Sequence, residues 1–269
     1  MTVTVRSFRP GDIDGLARII AAAYGSPLST ATRAQLAAAP DDILMAELGG
    51  RLAGVVVLAN YGELGYVGSM GVDPAVRRRG VARALMEELT RRCARAGVTG
   101  LALDATEAGA PLYEQFGFSQ TDSTHVYERG APHAFDRAGA PHPAPQAIEA
   151  AVALDRELIG WKRDGVLRAF LGDGGARLVL ESDGYAFVRG SVIGPWVAAS
   201  DTCAERLLDV SLAEERGPLR AFVPGCNARA ATLLERRGFA RARSLRHMTR
   251  GQPLPRRSLI YGQASLAHG

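Results

Sequence analysis

Three arginines and a glycine, Arg77, Arg78, Arg79 and Gly80, stand at the start of a helical stretch in VDPAVRRRGVARALM (residues 72–86). Clustered like charges repel, and glycine is a poor helix former, so the junction calls for a compensating partner. A strand ending in Val-Asp-Pro, then a turn, then a helix leaves main-chain N–H groups without intrahelical acceptors. The helix dipole adds its positive end at the same place. Gly80 lets the backbone approach a phosphate closely, and Ala82 keeps the position two residues on small. The neighbouring arginines reach the remaining oxygens through charge-assisted bonds. The chemistry indicated is capture of a pyrophosphate-like anion. The competing reading is an exposed basic loop that only keeps the protein soluble.

The elements that position this turn alternate between strand and helix. Residues 3–8 alternate as a strand. A helix follows, with Asp12 as its N-cap and Ile13, Leu16, Ile19 and Ile20 at helical spacing. Two apolar strands, residues 41–48 and 51–60, are separated by Gly49-Gly50, a hairpin signal. Residues 65–72 form a strand leading into the arginine turn. The helix 81–96 directs Leu85, Leu89 and Ala96 inward. A buried strand at 99–105 precedes a short helix closed by Gly117, and residues 125–130 finish the unit. Residues 130–146 carry four prolines without apolar periodicity, which predicts a linker in which His133 and His142 are solvated.

A second strand-helix series follows, and a shift of 121 positions aligns it with the first. Pro74 falls on Pro195, YEQFGF (residues 113–118) on LERRGF (234–239), and ERG (128–130) on TRG (249–251). The expectation is a duplicated α/β (α+β) fold: a mixed, mostly antiparallel central sheet flanked by helices, present twice. Opposite VRRRGVARAL the second copy has WVAASDTCAERL, without glycine or arginine in the turn, and opposite Tyr113 it has Leu234. It reads as a structural partner. A dinucleotide-binding Rossmann unit is the runner-up, but its GxGxxG turn is missing.

Composition narrows the class. The chain has 269 residues, 47% hydrophobic and 22% charged, with a formal net charge of +4, as in a globular protein with a sizeable core. No apolar run is long enough to span a membrane, and the first residues lack a secretory layout, so a cytoplasmic location is expected. Cys93, Cys203 and Cys226 are widely spaced and read as small buried hydrophobes, not a disulfide or zinc framework. The histidines form no ligand pattern, so no metal is expected. Lys162 is the only lysine; the arginine excess hints at an anionic ligand, although a GC-rich genome gives the same composition.

RRRGVA matches the (Arg/Gln)-x-x-Gly-x-(Gly/Ala) signature of the GCN5-related N-acetyltransferases, with Arg77, Gly80 and Ala82 in the defining places. PLYEQFGF (residues 111–118) resembles the second hallmark of that GNAT superfamily. LDRELIGWKRDGVLRAFL, IGPWVA, HMTRG and YGQASLAHG further resemble a two-domain bacterial group in which a degenerate GNAT-like unit follows the first. The resemblance implies a catalytic domain at 1–130 with the acyl-CoA site, a Pro-rich linker at 131–146, and a degenerate domain at 147–269. Thr106 departs from the superfamily, where asparagine often opens the helix before Tyr113; Asn227 holds that place in the second copy.

The resemblance also implies a mechanism. Acetyl-coenzyme A would lie with its pantetheine arm on backbone groups of Met70, Gly71 and Val72. Its diphosphate would rest on Arg77, Arg78, Arg79, Gly80, Val81, Ala82 and Arg83, with main-chain N–H groups contributing most. Tyr113 would protonate the departing thiolate. Glu63, just before the cofactor strand, is the candidate for deprotonating a small amine acceptor, and Asp104 the second choice. The acceptor would be chosen by the loop at 24–40 and by the second unit. Two alternatives stay open: an acyl donor on a carrier protein or transfer RNA, and a non-catalytic coenzyme A sensor or scaffold. No motif with aromatic interleaving suggests nucleic-acid binding. RRSLIYGQASLA (residues 256–267) is either a closing strand of the second unit or an intermolecular one in a homodimer.

Overall fold

The computed structural model describes residues 2–25, 27–28, 32–33, 36, 39–130, 143–172, 176–213 and 217–269. The first half comprises β1 (Val3–Ser7), α1 (Ile13–Tyr24), β2 (Ile43–Leu48), β3 (Arg51–Asn60), β4 (Leu64–Val72), α2 (Val81–Arg95), β5 (Gly100–Ala105), α3 (Ala110–Glu114) and β6 (Ser119–Arg129). The second comprises α4 (Pro145–Ile159), α5 (Asp164–Gly172), β7 (Ala176–Glu181), β8 (Gly184–Arg189), β9 (Val192–Ala198), α6 (Asp201–Ala213), β10 (Leu219–Pro224), α7 (Ala228–Glu235), β11 (Ala240–Gly251) and β12 (Ile260–Gly262). Residues 131–142 of the expected linker, with His133 and His142, lie outside the described residues, and Pro145 and Gln146 already belong to α4. No described helix is long and apolar enough to cross a membrane.

Both faces of β2 and β3 are covered, which is why ILMA and VVVLA read as unbroken apolar runs. Ile43, Met45, Val55 and Val57 pack under Leu16, Ile19 and Ile20 of α1. Leu44, Ala46, Val56 and Leu58 face Val81, Leu85, Met86, Leu89 and Cys93 of α2. Four expectations differ in detail. Ile13 is 36% exposed at the start of α1, and Ala96 is exposed as the C-cap of α2, its inward place taken by Cys93. Asp12 occupies the N-cap position but does not cap; its carboxylate accepts from Arg6 at 2.6 and 2.8 Å and from the Arg9 amide at 2.7 Å. Cys93 and Cys203 are buried, whereas Cys226 is exposed.

The twelve strands of the described residues form one sheet, in the order β1-β2-β3-β4-β5-β11-β6-β10-β9-β8-β7, with β12 on β9. The halves exchange their long strands. β11 lies antiparallel on β5, from Gly100–Gly251 to Ala105–Arg246, and β6 lies antiparallel on β10, from Arg129–Leu219 to Thr124–Pro224. β6 and β11 then pair with each other at the centre. Hydrogen bonding therefore runs continuously across the sequence boundary at 130.

The duplication holds for the segments around Gly117 and Gly238 and for the paired strands β6 and β11. The proline anchor does not. Pro74 lies in the turn after β4, while Pro195 lies inside β9; topologically, Ala199 and Ser200 are the counterpart of the arginine turn, between β9 and α6.

Candidate active site

β4 and β5 run parallel but pair only through Leu64–Gly100, Gly65–Leu101 and Tyr66–Ala102. Beyond these, β4 follows β3 and β5 follows β11, so the two strands part and leave a wedge between residues 67–72 and 103–105. A bulge in β4 accompanies the divergence. Between the Gly68–Val57 and Gly71–Val55 pairs, two residues of β4, Ser69 and Met70, oppose one of β3, Val56, and Ser69 has φ +49°. Such an extra residue bends the strand and re-aims its backbone.

The arginine turn closes the wedge at the end of β4. Asp73 pins it, accepting from the Ala75 amide at 3.0 Å and from Arg18 at 2.5 Å. Gly80 is the N-cap of α2 at φ +81°, a region that favours glycine, and Arg78 is also left-handed at φ +60°. The first helical bond runs from the Ala84 amide to the Gly80 carbonyl at 2.9 Å. The amides of Val81, Ala82 and Arg83 thus have no acceptor within the helix, and no side chain caps them. A Cβ built on Gly80 meets nothing within 4 Å, so the space in front of this residue is open. Arg77, Arg78 and Arg79 are exposed around it. Arg83 turns away: it bonds Gln115 and stands 4.0 Å from Glu87.

Tyr113, on α3, is half-buried beside the first-half core and packs edge-on against Phe118 with ring centroids 6.1 Å apart. Burial pushes its hydroxyl well above the ordinary phenol value, and the nearby Tyr24 hydroxyl adds to the rise. The ring of Tyr24 leaves that residue 53% exposed, yet its hydroxyl turns inward and donates to the Met70 carbonyl at 2.8 Å. Desolvation pushes that hydroxyl up to about 12. Met70, Gly71, Val72, the arginine turn and Tyr113 therefore border one region, and Tyr24 joins them unanticipated by any local sequence signal.

Glu63 is not among them. It is exposed in the β3–β4 hairpin, where its carbonyl accepts from the Thr99 and Gly100 amides at 2.8 and 3.1 Å. At about 3.3 Å per residue, the nine residues of β4 put ~30 Å between Glu63 and the arginine turn. The strands pair at the Glu63 end and part at the other, so Glu63 stands at the closed end of the wedge.

Asp104 is placed just past the last β4–β5 pair, where the wedge begins. Its side chain has no exposed surface and accepts three hydrogen bonds: from Tyr66 at 2.7 Å, Thr124 at 2.7 Å and His247 Nδ1 at 3.0 Å. Burial alone would raise its pKa, but the hydrogen bond from His247, the charge of Arg257 and the Thr124 bond together hold it below the ordinary value. Gln263 donates to the Tyr66 hydroxyl at 3.1 Å. At Gly68 the carboxy-terminal segment comes so close that a Cβ would lie 2.4 Å from Ala267 Cα.

The second half has the same divergence, filled. β9 and β10 pair only through Val192–Arg220 and Ile193–Ala221. β12 enters beside β9, and the Gln263 amide bonds the Phe222 carbonyl of β10 at 2.8 Å. Tyr261 packs on Trp196 at 5.1 Å. Residues 260–263 thus close the second unit. Asn227 caps α7, accepting from the Ala230 amide at 3.0 Å, whereas Thr106 accepts from the Gly109 amide at 3.2 Å.

Comparison with known proteins agrees. Residues 13–118 match the acetyltransferase (GNAT) family model, and residues 151–262 match a second acetyltransferase (GNAT) domain model. The chain belongs to the GNAT superfamily. As a tandem GNAT protein it is an acyltransferase, and its relatives fit that assignment. A candidate acetyltransferase from Pyrococcus horikoshii superposes with a TM-score of 0.85 at 26% identity, covering 99% of this chain and 96% of that one. The N-acetyltransferase YafP of Escherichia coli is 26% identical over 143 residues, 48% of this chain and 89% of its own. A GCN5-related N-acetyltransferase from Anabaena variabilis shares the fold, with a TM-score of 0.61 at 15% identity over 92% of this chain and 72% of its own.

Proposed function

We propose that this GNAT protein transfers an acetyl group from acetyl-coenzyme A to the amine of a small, amino-acid-like metabolite, by direct attack within a ternary complex. One observation carries the reading: an open wedge ends on uncapped amides at Gly80 in the first half, while the corresponding wedge of the second half holds β12. The diphosphate rests on the amides of Val81 to Arg83, with Arg77 and Arg78 supplying charge-assisted bonds. The pantetheine arm runs along the β4 edge by Met70 to Val72. A backbone N–H there polarises the thioester carbonyl as negative charge develops on its oxygen.

Tyr113 returns a proton to the sulfur as the carbon–sulfur bond breaks. A desolvated slot that raises the phenol raises the thiol with it, which keeps the two acidities comparable. A cavity of about 110 Å³, lined by Asp42 and Asn60 from one half and Lys162, Phe170 and His268 from the other, supports a small charged acceptor. It adjoins the carboxy-terminal segment that packs on Gly68. The test is a titration with acetyl-coenzyme A followed by a panel of amino acids, polyamines and aminoglycosides read by thiol release. Saturable, amine-dependent release is expected; binding without release for every amine would point to a sensor instead.

A further inference from the structure

The interior of the sheet holds a buried acid–imidazole pair that the halves build together. Asp104 comes from β5 of the first half and His247 from β11 of the second. Strand exchange sets them directly opposite, as Cα partners in the β5–β11 ladder. Their side chains are 0% and 2% exposed. Asp104 accepts from His247 Nδ1 at 3.0 Å, which holds a proton on that nitrogen and turns Nε2 away from the carboxylate. Nε2 is itself buried, and among the described residues it has no hydrogen-bond partner. A second orphan, Gln263 Oε1, belongs to a side chain that bonds the same Tyr66 hydroxyl as Asp104. The Tyr66 and His247 rings lie 6.1 Å apart. Tyr66 is the last residue of β4 paired with β5, so the cluster sits where the wedge opens.

A buried nitrogen left unpaired is costly to fold around. Two orphans on side chains that bond the Asp104–Tyr66 pair, one on each side, point to a polar guest. We propose that His247, oriented by Asp104, takes the proton from the acceptor amine, so that the second half contributes a catalytic group to the site in the first. This rests on the acetyl-transfer reading above.

The step balances. The amine lone pair forms the nitrogen–carbon bond, and the amine proton passes to His247 Nε2 directly or through one water. The carbon–sulfur bond breaks with its electron pair on sulfur, and the Tyr113 hydroxyl supplies the thiol proton. Amine and thioester become amide and thiol; His247 then sheds its proton and Tyr113 regains one. Asp104 is a positioning residue, since it acts through the imidazole. The titratable and charged groups around His247 are Asp104 on β5, Tyr66 on β4, Asp122 on β6 and Arg257 before β12.

Two measurements test this. In the intact ¹⁵N-histidine-labelled protein, long-range proton–nitrogen spectra at neutral pH should show neutral His247 with its proton on Nδ1. A proton on Nε2 would overturn the proposal whether or not any variant folds. For the fastest amine of the panel, His247→Gln should lower kcat by about 100-fold or more while shifting acetyl-coenzyme A affinity by less than about threefold, and should remove the low-pH limb of the rate profile. Unchanged kcat with the limb retained would refute the assignment. Asp104→Asn should lower kcat similarly by moving the imidazole proton to Nε2, which the same spectra read. Wild-type protein that binds no acetyl-coenzyme A would instead defeat the acetyl-transfer reading, because the tautomer measurement needs no nucleotide.

Discussion

Gly80 carries two loads at once, a left-handed backbone at φ +81° and an unobstructed path to the amides behind it. Gly80→Val should cost about 1–2 kcal/mol of stability through the left-handed strain. It should weaken acetyl-coenzyme A by far more than the modest loss expected of Arg83→Ala, because Arg83 is engaged with Gln115 and Glu87; calorimetry separates the two. Tyr113→Phe should lower kcat about 10–100-fold with little change in donor affinity, as read by thiol release against direct titration. The Asp104 carboxyl sits below its ordinary value in the folded chain. Its contribution to stability is therefore present above the unfolded value near 3.8 and is lost as pH falls through the lower, folded value. Thermal unfolding followed downward from neutral pH should show the midpoint drop in that acid window, and Asp104→Asn should flatten this part of the curve.

Among the elements, the exchange of β6 and β11 has the largest consequence. Neither half closes its own sheet: β5 needs β11 and β6 needs β10. The chain should therefore unfold in a single calorimetric transition whose van't Hoff and calorimetric enthalpies agree; two resolved transitions would show independent halves. What was legible in the sequence divides along the same line. The arginine turn, the helix stripes and the segments around Gly117 and Gly238 are local patterns, set by neighbours a few positions away. Strand partners far apart in sequence are not, so nothing in HMTRG announced that His247 would face Asp104. That Glu63 stands at the end of β4 away from the arginine turn was hidden for a related reason. Its proximity to β4 in sequence says nothing about which end of β4 parts from β5. The Pro74–Pro195 anchor failed because a proline is a turn signal in one copy and sits within a strand in the other.

Across the described residues, the molecule is one twelve-stranded sheet with two divergent strand pairs, of which the second is filled by the chain's own β12. Duplication followed by self-occupation explains how the second copy kept its core while its turn lost both glycine and arginine. It also makes one donor site per chain the expected stoichiometry. Calorimetric titration of the intact protein with acetyl-coenzyme A tests this most directly. The account predicts one site per chain, abolished or weakened at least ~10-fold by Gly80→Val, consistent with loss of charge-assisted bonds worth about 1.5–3 kcal/mol. Two sites per chain, or one site indifferent to Gly80→Val, would contradict it.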